Sequence, residues 1–155
     1  MNSKQFKFYD SNFYKFILCI STGGFFYFFI IFFLPFGIDN YNPKHQYTLA
    51  FLSEMAYFVI FIWVFHLMNE FLLRPIFNFK PTARNILVWS IWTLILLSSI
   101  TFLTYNFLGG WHDFKLKSYS EFLINVSTVL IFPLIGAFFF FKHQALQQQI
   151  ESILT

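Results

Sequence analysis

Residues 14–34 read YKFILCISTGGFFYFFIIFFL, with Lys15 at the start as the one charged side chain in the run. About 20 predominantly apolar residues, rising 1.5 Å each, are needed for a helix to cross about 30 Å of hydrocarbon. This stretch has that length. Three more follow along the chain, at 47–68, 86–108 and 122–141. Together the four runs occupy more than half of the chain.

The breaks between runs are as plain as the runs. Pro35 closes the first, and Pro43, Lys44 and His45 precede the second. Glu70 and Arg74-Pro75 follow the second run, while Lys80-Pro81 and Arg84 lead into the third. Gly109-Gly110 ends the third, and Lys142-His143 marks the exit of the fourth. Proline and glycine stop helices, and charge resists hydrocarbon, so each boundary has a physical cause.

The overall composition agrees. The 155 residues are 57% hydrophobic and 11% charged, and they include 27 Phe. A water-soluble domain carries roughly a quarter of its residues as charged side chains. Too few are present here to cover an aqueous surface. Low Gly and Pro content and a single cysteine, Cys19, argue against a disordered, collagen-like or disulfide-built chain. The formal charge of +3 comes without a basic cluster, so direct nucleic-acid binding by this chain is not expected.

The expected fold is all-α: a polytopic membrane protein whose four spans form an antiparallel bundle joined by short loops. Residues 1–13 form an N-terminal segment, 14–141 the transmembrane domain and 142–155 a helical C-terminal extension. The first run lacks a small-residue cleavage pattern and reads as a retained span rather than a signal peptide. Orientation follows the distribution of cations. Lys4, Lys7, Lys15, Arg74, Lys80, Arg84 and Lys142 fall on one side, against Lys44, Lys115 and Lys117 on the other. The positive-inside rule then places both termini in the cytoplasm.

Small and hydroxyl residues are expected at the helix seams: Ser21, Thr22, Gly23 and Gly24, Ser53 and Ala56, Ser90, Thr93, Ser98 and Ser99, and Ser127, Gly136 and Ala137. Glu54 lies inside the second run, about 10 Å below the outer boundary. Exposure to lipid at that depth is costly, so it is expected to face the bundle or a wet cavity. There it serves either as a ligand or proton site, or as a hydrogen-bonded tie between helices. His66, Glu70 and Arg74 are spaced four apart, which predicts an ion-pair ladder anchoring the cytoplasmic end of that helix.

The two outward loops carry turn formers, aromatics, carboxylates and histidines. Asp39, Asn40 and Tyr41 in the first, with Trp111, His112 and Asp113 in the second, join Glu54 as candidate ligand or proton-site residues. Asp39, His45, His112 and Asp113 have metal-binding chemistry but no ligand spacing that supports a metal site. No cofactor is expected. Phosphate loops, paired-Cys zinc motifs, His-Glu-x-x-His helices and nucleophile elbows are missing from the sequence, so the reading is non-enzymatic.

Beyond Lys142 the chain turns polar but stays helix-forming. Leu146, Ile150 and Ile153 follow a four-then-three spacing that His143 and Phe139 extend back toward the membrane. Such a stripe fits a dimerising stem, a homodimer contact, or an amphipathic end lying on the membrane surface. Pro133 predicts a kink in the last span. Pro133, His143, Leu146, Ile150 and Ile153 are the candidate relay for a signal.

The phrase Pro35-Phe36-Gly37-Ile38-Asp39-Asn40-Tyr41, the segment Trp111-His112-Asp113-Phe114 before a span containing Phe132-Pro133-Leu134-Ile135-Gly136, and the Gln-rich stem resemble the membrane-spanning input region of LytTR-type transcriptional regulators of Bacteroidetes. The resemblance extends over nearly the whole chain. It implies a signal-input module of the bacterial inner membrane that reaches DNA only through a C-terminal domain absent from these 155 residues. The competing expectation is a small transporter or channel component with Glu54 as its intramembrane polar site.

Overall fold

The computed structural model describes residues 4–35, 47–110 and 112–155, and these are helical with no named strand among them. Asp39, Asn40, Tyr41, His45 and Trp111 lie outside the described residues. Four long helices account for the fold: α1, Asn12–Phe33; α2, Leu49–Phe77; α3, Ala83–Phe107; and α4, Leu116–Leu154. Each is long and apolar enough to cross a membrane.

Hydroxyl caps start the first three helices. Ser11 Oγ accepts from Tyr14 N–H at 3.1 Å, Thr48 Oγ1 from Phe51 N–H at 3.2 Å, and Thr82 Oγ1 from Asn85 N–H at 3.4 Å. Each cap satisfies a donor that the first helical turn leaves open. At the other ends, Leu34 and Asn78 take left-handed backbone conformations with φ of 46° and 45°. That geometry turns the chain out of α1 and α2.

The helices form a closed ring in which α1 packs on α2 and α4, while α3 packs on the same two neighbours. Buried positions on α1 include Tyr14, Leu18, Thr22, Phe26 and Ile30, and those on α4 include Phe122, Val126, Leu130, Leu134 and Phe141. Steps of mostly four residues keep each set on one helix face. Phe26, Ile30, Ile62, Leu97, Val126 and Leu130 fill one half of the core. Tyr9, Tyr14, Leu18, Trp89, Leu134 and Phe141 fill the half nearer the chain termini. Outward positions remain apolar: Phe28 is 58% exposed and Ile124 65%. An aqueous surface would be poorly served by such side chains, whereas hydrocarbon accommodates them.

One boundary differs from the sequence reading. The second helix does not stop at Met68; it continues through a wider π-helical turn, Asn69–Leu73, to Phe77. Arg74 N–H reaches back five residues to the Asn69 carbonyl in that turn. The widening comes immediately before Pro75, whose ring crowds a regular helix and whose nitrogen has no hydrogen to donate. The helical extension expected beyond Lys142 is continuous with the last span. The helix runs unbroken through Pro133, which is buried, and on to Leu154, so span and stem are one helix.

The predicted seams are met in part. Thr22, Gly23, Thr93 and Ser98 are buried, and Ser98 Oγ lies 3.2 Å from Ser127 Oγ across α3 and α4. Ser53 and Gly136 are exposed instead. Ser53 Oγ donates back to the Leu49 carbonyl at 2.8 Å, satisfying itself within its own helix.

Candidate functional site: a buried polar network

The N-terminal segment folds onto the bundle rather than trailing from it. Phe6 N–H donates to the Pro81 carbonyl at 2.8 Å, and the Phe6 and Phe138 rings meet edge to face at 5.3 Å. A short 3-10 turn, Lys7–Asp10, then delivers Tyr9 and Asp10 to the end of α2. What they meet is a set of polar side chains deep inside the bundle.

Arg74 is the hub. Its Nη1 donates to Glu70 Oε2 at 2.7 Å, and its Nη2 donates to Asp10 Oδ1 at 2.9 Å and to the Tyr9 carbonyl. The guanidinium also stacks 3.9 Å from the centre of the Tyr9 ring. The other oxygen of Glu70 accepts from Trp89 Nε1 at 3.1 Å, and His66 Nε2 lies 3.8 Å away from it. Both carboxylate oxygens act as acceptors, which suits the ionised form. Glu70 and His66 have no measurable exposure and Arg74 only 3%.

Two extensions tie the remaining helices in. The Thr22 hydroxyl of α1 is 2.7 Å from His66 Nδ1. Asn69 Nδ2 donates to Thr93 Oγ1 at 3.1 Å, while Trp92 Nε1 of α3 donates to Asn69 Oδ1 at 3.0 Å. Lys15, also buried, lies over the Phe71 ring at 5.7 Å. Asp10 and Glu70 set against Arg74 and Lys15 leave the cluster electrically balanced. Burial of charge is tolerable only with such pairing and hydrogen bonding. Outside the spans, burial pushes the Tyr9 phenol up from its ordinary value, with Glu70 adding to the shift, so the phenol stays neutral.

The spacing of His66, Glu70 and Arg74 therefore produces the expected ladder at the end of that helix, and the ladder is buried. It lies in the bundle at the end where the N-terminal segment docks, and partners from that segment and α3 neutralise it. Tyr9, Asp10, Asn69 and Trp89 were not singled out in the sequence. Asp10, the sole carboxylate before the first run, was the available signal.

The other candidates are positioned differently. Glu54 is exposed, not turned into the bundle. Met55, its neighbour, packs on the core, and one residue is a rotation of about 100° around the helix. His112 is exposed, with φ of 50°. Asp113 closes a loop: its N–H donates to Asn106 Oδ1 at 2.5 Å, and its Oδ2 accepts from Ser118 Oγ at 2.6 Å. The structure thus does not bring Glu54 together with His112 and Asp113 through any contact among the described residues. No group of three or more His, Cys, Asp or Glu among the described residues is placed to hold a metal ion. His143 and the stripe of Leu146, Ile150 and Ile153 are exposed along the projecting part of α4.

No protein-family model, curated protein or solved structure matched the chain.

Proposed function

We propose that this chain is a multi-pass protein of the bacterial inner membrane, with both termini cytoplasmic, that acts as a signal-input module and delivers its output through α4. The observation that carries the reading is the continuity of α4. Its 39 residues measure about 58 Å at 1.5 Å per residue, against about 30 Å of hydrocarbon. A rotation or shift of α4 within the bundle is consequently passed to the stem without an intervening loop. The exposed stripe of Leu146, Ile150 and Ile153 offers a second copy a surface on which the shift can be read.

The mechanism is a two-state repacking of the bundle. A stimulus must favour one packing over the other to move the equilibrium. The buried network around Arg74 joins α2, α3 and the N-terminal segment and reaches α1 through Thr22, and no hydrogen bond or ion pair of that network among the described residues comes from α4, so in this mechanism α4 is the element that moves. Its seams with α1 and α3 are mostly apolar, apart from contacts such as Ser98 with Ser127. The resemblance to LytTR-type input regions supports the same direction of signalling. The transporter alternative is weakened because Glu54, its polar site, lies on the exposed face of α2.

Helical phase provides the test. Inserting one, two, three or four alanines after Phe141, with a dimerisation reporter fused behind Thr155, is expected to change output with the period of the helix. Reporter output that ignores the number of inserted residues would refute transmission through a rigid α4.

A further inference from the structure

Where α4 leaves the apolar run, an open cleft of about 400 Å³ lies between the N-terminal segment and the stem. Lys4, Lys7 and Lys142 line it together with Phe6, Gln149 and Ser152, and no carboxylate is among its lining residues. Lys4 Nζ lies 5.5 Å and Lys142 Nζ 5.9 Å from the centre of the same Phe6 ring. Among the described residues none of the three lysines forms an ion pair. Arg74, the buried cation of the network, is paired with Glu70 and Asp10. The cleft has no such counter-charge.

We infer that this cleft is a binding site for the phosphate of an anionic phospholipid headgroup. Two ammonium groups drawn to one ring, with a third lysine lining the same cleft, repel each other, and an anion between them relieves that repulsion. The Gln149 side-chain amide adds a neutral donor of the kind that orients phosphate oxygens, while the Ser152 hydroxyl already donates to the Gln149 carbonyl at 2.8 Å. Depth selects the lipid as the source. Lys142 follows directly on the apolar run 122–141, and the exposed Phe139 and Phe140 rings lie three and two residues before it, which on the membrane-spanning reading puts them on the acyl-chain side of Lys142. Basic pockets at this level of a membrane protein attract anionic headgroups.

Because the cleft has one wall on the N-terminal segment and the other on α4, a bound headgroup links the stem to the part of the molecule fixed by Arg74. The lipid then favours one position of α4. This inference rests on the membrane-spanning reading proposed above, with this end of the bundle at the bilayer surface.

Native mass spectrometry of the full chain, reconstituted with phosphatidylglycerol or with phosphatidylcholine and then released from detergent, tests the site. Retention of phosphatidylglycerol over phosphatidylcholine is expected. The triple substitution Lys4→Gln, Lys7→Gln, Lys142→Gln should lower that retention roughly tenfold or more, since each cation near an anionic surface adds to attraction. The triple Arg variant should retain it. Lys115→Gln with Lys117→Gln, at the other end of the bundle, should have little effect. Equal retention by the wild type and the triple Gln variant would overturn the site, and so would equal loss in the opposite-end control. Displacement of the lipid by millimolar inorganic phosphate would overturn the lipid assignment in favour of a free anion. Release of the chain from vesicles by alkaline carbonate would instead overturn the membrane reading, a failure distinct from retention without lipid preference.

Discussion

Thr22 Oγ1 lies 2.7 Å from His66 Nδ1 and 3.0 Å from the Cys19 carbonyl, so a single hydroxyl hydrogen faces two acceptors. If it points to Cys19, His66 donates from Nδ1; if it points to His66, the imidazole carries its hydrogen on Nε2 toward Glu70. Either arrangement fixes the ring between α1 and α2. Thr22→Val keeps the shape but removes the hydroxyl, leaving a buried imidazole nitrogen without a partner. The expected cost is about 1–3 kcal/mol of stability. Thr22→Ser should recover most of it, as measured by thermal unfolding in detergent. Equal stability of the wild type and the Val variant would show that the contact contributes nothing.

Arg74 touches two carboxylates of very different exposure, which allows its partners to be ranked. Glu70 is 1% exposed at its side chain and Asp10 is 51% exposed. Arg74→Ala leaves Glu70 as a buried charge with only Trp89 and His66 beside it, a loss of about 3–5 kcal/mol. Asp10→Asn removes a solvent-screened partner and should cost less than about 1 kcal/mol. Arg74→Lys cannot reach Glu70, Asp10 and the Tyr9 carbonyl together, because an ammonium lacks the planar fork. It should therefore fall nearer to Ala than to the wild type. Unfolding measurements on the three variants check this order, and an Asp10→Asn loss equal to that of Arg74→Ala would contradict it.

The four spans were legible because hydrocarbon demands long apolar runs and tolerates few breaks. Which face of each span turns inward was much less so. In a soluble helix, polarity on one side marks the outside, but residues 47–68 are apolar nearly all round, and that cue is lost. Glu54 was assigned inward by the cost of its charge alone, and the packing of Met55 and Val59 turned it outward. Glu70 and Arg74-Pro75 read as the end of a span because their spacing offers a ladder along one helix but says nothing of partners outside it. Paired with each other and with Tyr9 and Asp10, they continue the helix instead. Contacts between an N-terminal segment and a helix more than sixty residues later leave no local pattern to read.

Gly23 and Gly24 are neighbours with opposite expected responses. A Cβ on Gly23 would come within 3.3 Å of Trp63 Cδ1, whereas one on Gly24 would meet nothing within 4 Å. Gly23 thus lets α1 approach the Trp63 side chain of α2 closely. Gly23→Leu should force the two helices apart at a cost of about 1–3 kcal/mol. Gly24→Ala should be neutral or stabilise by up to about 1 kcal/mol, because it removes backbone freedom from a helix interior. Thermal unfolding separates the two, and a Gly24→Ala variant as damaged as Gly23→Leu would remove Trp63 from the explanation.

The proposed orientation makes opposite demands on the two ends of α4. Ser120 and Ser152 are both exposed and lie 32 residues apart on one continuous helix, a separation of about 48 Å. Cys19 is fully buried, and its replacement by Ser gives a background without a native thiol. In that background, a membrane-impermeant maleimide added to spheroplasts should label Ser120→Cys and spare Ser152→Cys until the membrane is opened. The excess of cations beside the termini gives this direction, seven of the ten Lys and Arg being on that side. Labelling of Ser152→Cys alone would invert the bundle. Labelling of both in sealed cells would show that α4 does not cross, and the relay through it would fail with the span.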